Sequence, residues 1–197
     1  MKPWMICLAV LTWIGALHAQ HYPYENAVQQ KFASGGTIRL HLEAGGYTIS
    51  PTDAGDIVVT YHANSSAQLD KVKVEIKPGI ATADVYVSRT PNNKFSATIE
   101  VPRQSNLWVR LSAGQLDLEN IDGDKDVEMW AGELDIEVPH PEVYGHRDAS
   151  VLAGSLDAAV FNVSKGGLFR SFSDQGPGKY RLHAHVTTGG IDLHGTE

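Results

Sequence analysis

The densest group of potential ligands in the 197-residue chain is Asp122-Gly123-Asp124-Lys125-Asp126, followed by Glu133. Oxygen donors at positions 1, 3, 5 and 12 of such a run match those of a calcium-binding loop. The sixth position, where that loop needs glycine for its sharp bend, is Val127, and no flanking helix pattern surrounds it. The same residues fit a hairpin, because Asp-Gly between Leu118/Ile121 and Val127/Met129 is a strong turn signal. Asp122, Asp124, Asp126 and Glu133 therefore form a candidate metal set with a structural alternative. No resident cofactor is expected, calcium being the one candidate.

His183 and His185 stand at i and i+2 on one side of the run Tyr180 to Val186, with His194 following. Two imidazoles so spaced can share a metal, although spacing fixes no third ligand. Trp108 and Trp130 are the candidate ligand-binding residues. Outward aromatic rings on a β surface hold sugar rings or protein partners, and rings turned inward would instead cap the core. Nucleophilic catalysis has no support, since no Gly-x-Ser-x-Gly elbow is present. Paired carboxylates could hydrolyse glycosides, but no two are placed in a cleft by the sequence. The chain is expected not to be an enzyme, with a polysaccharide-active β-helix enzyme as the catalytic alternative.

The elements that must position these groups follow from a period of two. Lys71 to Lys77 alternates charged and apolar residues strictly, which puts Val72, Val74 and Ile76 on one face. Ile38/Leu40/Leu42, Ile57/Val59/Tyr61, Phe95/Ala97/Ile99/Val101 and Leu107/Val109/Leu111 repeat the pattern. Glu25 to Phe32 could supply a helical turn or two; elsewhere the chain past Gln20 reads as β. Ala113-Gly114-Gln115-Leu116-Asp117-Leu118 returns at residues 131–136 and 153–158, and more loosely at 188–193. The glycines are 18, 22 and 35 residues apart, so the last gap has room for a degenerate copy at Gly166-Gly167-Leu168. Ala44-Gly45-Gly46-Tyr47-Thr48-Ile49 is a distant relative of the unit. A unit of this size cannot bury its apolar face alone, so copies must stack. The expected fold is all-β, a β-solenoid or β-roll of stacked short strands, with an antiparallel β-sandwich as the alternative. Stacking would align Asp117, Asp135, Asp157 and Asp192 as an outward ladder, either solvated or bridged by cations.

Lys2, the apolar run Trp4 to Leu17 and Ala19 describe an export signal over residues 1–19. An uncleaved anchor is the alternative, although the run is shorter than the ~20 apolar residues a spanning helix needs. Cys7, the one cysteine, lies in the signal, so the remainder has no thiol for disulfides or zinc-thiolate sites. Gln20 stands where a lipoprotein would carry its lipidated cysteine. A net charge of −7 without a basic run excludes nucleic acid as a partner. Residues 20–105 read as a strand-rich half and 106–197 as the repeat region, and the two are expected to form one continuous domain because no linker divides them.

The runs Gly36 to Ile49, Asp56 to Thr60 and His185 to Leu193 resemble the start and end of bacterial adhesin-like domains of unknown function. The likeness spans roughly residues 31–194. It implies a repetitive β fold on an exported or envelope protein, and it transfers no site residues. The function expected is exported, non-catalytic binding in the periplasm, at the cell surface or outside the cell, with an envelope or extracellular polysaccharide or protein as partner. A periplasmic lipid-carrying β-roll is a further alternative. After signal removal the chain is not expected to span a membrane.

Overall fold

The computed structural model describes residues 24–92 and 94–196; residues 1–19, read above as an export signal and containing Cys7, lie outside them, as does Gln20. The described chain is almost entirely β. Twelve strands join one sheet: β1 (Glu25–Lys31), β2 (Thr37–Leu42), β3 (Gly45–Thr52), β4 (Asp56–His62), β5 (Lys73–Pro78), β6 (Thr82–Ser88), β7 (Ser96–Pro102), β8 (Asn106–Leu118), β9 (Lys125–Glu137), β10 (Tyr144–Ala158), β11 (Val163–Gln175) and β12 (Tyr180–His194). A single helical turn, α1 (Ser66–Leu69), is capped by the Ser65 hydroxyl. Glu25 to Lys31 is a strand rather than a helical turn, pairing antiparallel with β4. No helix among the described residues is long and apolar enough to cross a membrane.

The repeat copies lie side by side, parallel and in register. Gly45, Gly114, Gly132, Gly189 and Gly154 form one column across β3, β8, β9, β12 and β10. Leu116, Leu134, Ile191 and Leu156 form the next inward column, and Leu111, Met129, Val186 and Val151 the inward column before the glycines. The two inward columns bracket a change of parity. Gly114, Gly132, Gly154 and Gly189 have φ between +127° and +143°, which bends each strand so that both legs face one interior. A Cβ at Gly132 would sit 1.8 Å from the Gly114 carbonyl oxygen, so nothing larger fits. Glycine recurs here because both the dihedral and the close backbone approach require it.

The bend also explains a connection that resembles a hairpin in the sequence. Asp122-Gly123 joins β8 to β9, but these strands are parallel, with Leu107 opposite Lys125. Six linking residues reach at most about 22 Å, too short to retrace a straight thirteen-residue strand. They suffice because the strand folds back at Gly114. The link itself pairs with the preceding turn: Gln104 bridges Asp122 in parallel, and Ser105 N–H donates to the Asp122 carbonyl at 3.0 Å.

Two departures from a sequential stack appear. The strand order β8-β9-β12-β10-β11 inserts the last strand between the second and third copies. The degenerate copy runs backwards, with Gly167 opposite Gly154 in the antiparallel β10–β11 pair, because the left-handed Asn162 turns the chain straight back after Ala158. At the other end of the chain, β2 and β3 continue the parallel stack on β8, followed by β6 on β2 and β7 on β3. The antiparallel strands β1, β4, β5 and β11 lie outside this parallel series. Buried side chains from Phe32 to Leu193 form one continuous apolar cluster.

Candidate functional site

On the first leg of each bent strand, alternation turns every second side chain away from the interior. Register then assembles two outward rows. One runs Arg39, Trp108, Asp126, His183, Asp148; the other runs His41, Arg110, Glu128, His185, Ser150. These residues come from five strands far apart in sequence.

Arg110 organises the centre of this face. Its guanidinium meets Asp126 at 2.8 Å and Glu128 at 3.1 Å, and it donates to the Val109 carbonyl at 2.9 Å. It also lies 4.0 Å from the Trp108 ring centroid, a cation–π contact. The His41 ring packs 5.1 Å from Trp108 and stacks on Tyr86 at 4.4 Å. Trp130 extends from the same face and is 71% exposed. A groove of about 610 Å³ passes among His41, Tyr86, Arg110, Glu128, Trp130 and His185. Its aromatic rings offer apolar stacking surfaces beside fixed donors and acceptors, an arrangement suited to binding. The two tryptophans singled out in the sequence both face outward here.

Beyond Arg110 the row continues into Asp126, Glu128 and His183, whose potential ligand atoms lie within 4.8 Å of one another. His183 Nδ1 bonds Asp148, and His146 Nε2 approaches the other oxygen of Asp148 at 3.2 Å. His185 Nδ1 faces the Ser150 hydroxyl at 2.8 Å. Asp122, Asp124, Asp126 and Glu133 do not come together as a loop. Asp126 belongs to the Arg110 cluster, and Glu133 lies past the bend, its carboxylate against Gly190. Asp122 and Asp124 stay near Lys125.

The second leg carries the aspartate ladder expected from the repeat: Asp117, Asp135, Asp192 and Asp157 stand on adjacent strands in register. Partial burial, then Asp135 and Asp157, push the Asp192 carboxyl above its ordinary range. His194 compensates part of this charge. Its Nδ1 faces the Gly195 carbonyl at 2.8 Å and its Nε2 faces Asp135 at 2.7 Å. With an acceptor at each nitrogen, the protonated ring is favoured and its pKa rises, the Gly195 carbonyl acting most strongly.

Lys125 was invisible as a special residue while it belonged to a turn motif. It occupies the inward position of β9 before Val127 and Met129 and is 1% exposed. Its ammonium donates to the Ile121 carbonyl at 2.5 Å and to the Tyr144 hydroxyl. Burial pulls its pKa down to about 8, against the opposing pull of Asp122 and Asp124. The two-residue spacing from Val127 was the available signal.

No protein-family model and no curated protein matches the sequence. Among solved structures, a "putative cell adhesion protein" from Clostridium sporogenes aligns over 87% of this chain and 100% of its own, with a TM-score of 0.54 and 13% identity. The likeness is one of fold. A "putative adhesin" from Parabacteroides merdae aligns at a TM-score of 0.33 and 11% identity, over 59% of this chain and 48% of its own. A "putative lipid binding protein" from Parabacteroides distasonis aligns at 0.32 and 10%, over 86% and 73%.

Proposed function

We propose that this is an exported, non-catalytic binding protein of the bacterial cell envelope, adhesin-like in role, whose binding surface is the wet face of the first strand legs. Its scaffold is a β-solenoid with antiparallel end strands. In-register parallel stacking of the repeat, closed at a glycine corner, supports that reading of the fold. The observation that carries the functional reading is Trp130, 71% exposed beside a groove that also contains Arg110, itself stacked on Trp108. A bare indole on a flat sheet costs solvation and favours a partner that covers it. Ring stacking by tryptophan, with carboxylates and a guanidinium at its margin, suits the hydroxyl-rich, apolar-faced rings of a polysaccharide.

The test is co-sedimentation of the purified protein with envelope fractions and insoluble polysaccharides at low and high salt. Saturable binding that is lost in the Trp108→Ala/Trp130→Ala double variant is the expected result. Absence of binding to every fraction, or equal binding by the double variant, overturns the proposal.

A further inference from the structure

The geometry points to a site for one divalent transition-metal ion, of the Zn²⁺ or Mn²⁺ class, formed by Asp126, Glu128 and His183 on the wet face.

Three features support it together. First, His183 is already oriented as a ligand: Asp148 holds Nδ1, leaving Nε2 as the free nitrogen. A carboxylate behind a metal-binding imidazole fixes its tautomer and raises its basicity. Second, Arg110 occupies only Oδ1 of Asp126 and Oε1 of Glu128, so each carboxylate keeps its second oxygen. Third, the charge is incomplete. Asp126, Glu128 and Asp148 oppose one guanidinium, and with neutral imidazoles the group retains two negative charges, the charge of a divalent ion. Arg110 and the metal therefore do not compete for the same neutralising role.

Donors around a transition ion with bonds of about 2.0–2.2 Å are roughly 3–4 Å apart. The observed separations, up to 4.8 Å, close to that range by small rotations of two carboxylates that are 46% and 48% exposed. One nitrogen among the donors selects against Ca²⁺ and Mg²⁺, which prefer oxygen alone. The site also differs from the candidate set Asp122, Asp124, Asp126 and Glu133, sharing with it only Asp126. It lies beside the groove, since Glu128 lines both, but it stands or falls independently of what the groove binds.

The experiment is calorimetric titration of Zn²⁺ into the metal-free purified protein near neutral pH, with thermal unfolding measured on the same samples. One saturable site is expected, with a zinc-dependent rise in Tm. Asp148→Asn should weaken binding by about tenfold as a positioning residue, and His183→Ala and Asp126→Asn should weaken it further. His140→Ala, at an exposed histidine elsewhere, should leave it unchanged. The variants lie on the exposed face, and unchanged metal-free Tm values establish that they fold. No saturable binding in the wild type, or binding that survives His183→Ala, overturns the assignment.

Discussion

The two legs of each bent strand share one backbone, one register and one glycine corner, yet present opposite surfaces. On the first leg, neighbouring outward residues alternate in charge and chemistry, so Arg110 finds Asp126 and Glu128, and His183 finds Asp148. On the second leg the outward row repeats aspartate four times, and partial burial, followed by Asp135 and Asp157, raises the Asp192 pKa. Parallel in-register stacking multiplies whatever a repeat position carries. A position that varies between copies becomes a site, whereas one that is preserved becomes a field of like charge. The difference teaches that the clustered chemistry proposed here for binding arises at the positions where the copies diverge.

The corner is common to both legs, and breaking it should have the largest effect. Gly132→Ala places a methyl group 1.8 Å from the Gly114 carbonyl oxygen at a φ of +127°. A loss of about 4 kcal/mol, or failure to fold, is expected in chemical denaturation. Gly166→Ala supplies the contrast: nothing lies within 4 Å of its Cβ position, and the variant should unfold within about 0.5 kcal/mol of wild type.

The next effect separates the interiors of the legs, because the buried charge Lys125 belongs to the first alone. Its folded pKa of about 8 lies below the ordinary 10.5, so the unfolded chain binds more protons between these values and stability rises with pH there. Between pH 8 and 10 the gain should be about 2 kcal/mol relative to Lys125→Met, measured by urea denaturation. Above pH 10 the raised pKa values of Tyr144 and Tyr47 act in the opposite direction, since the folded state then retains protons.

The smallest effects concern the aspartate ladder. Asp192→Asn should stabilise the protein by about 0.5 kcal/mol at neutral pH, since the repelling charges are largely solvated. The raised pKa values of Asp192 and His194 both mean stability that is present at low pH and lost as pH rises. For His194 the loss falls as pH passes upward through its raised folded value, so His194→Ala should be slightly destabilising near pH 5 and neutral near pH 9. Thermal unfolding at the two pH values measures this.

Much of the second leg was legible in the sequence, because a six-residue unit announces both its glycine and its outward aspartate. The wet face of the first leg was less so. Trp108 and Trp130 follow from alternation, but the meeting of Asp126 with His183 depends on β12 entering between β9 and β10, a tertiary choice that no local pattern encodes. The same holds for Asp148, which reaches His183 from the other neighbouring strand. Asp122-Gly123 misleads for a related reason: its turn chemistry is satisfied equally by a hairpin and by a corner in a parallel connection. Lys125 was hidden by the charges around it, although its parity with Val127 and Met129 places it inside.

The most direct test of where binding resides compares two variants in one sedimentation titration against the envelope or polysaccharide fraction that binds wild type. One carries Trp130→Ala and the other Asp135→Asn with Asp192→Asn. Loss of affinity by about tenfold or more in the tryptophan variant, with the ladder variant unchanged, is the predicted result. Full binding by the tryptophan variant, or loss confined to the ladder variant, would contradict the assignment of binding to the first leg.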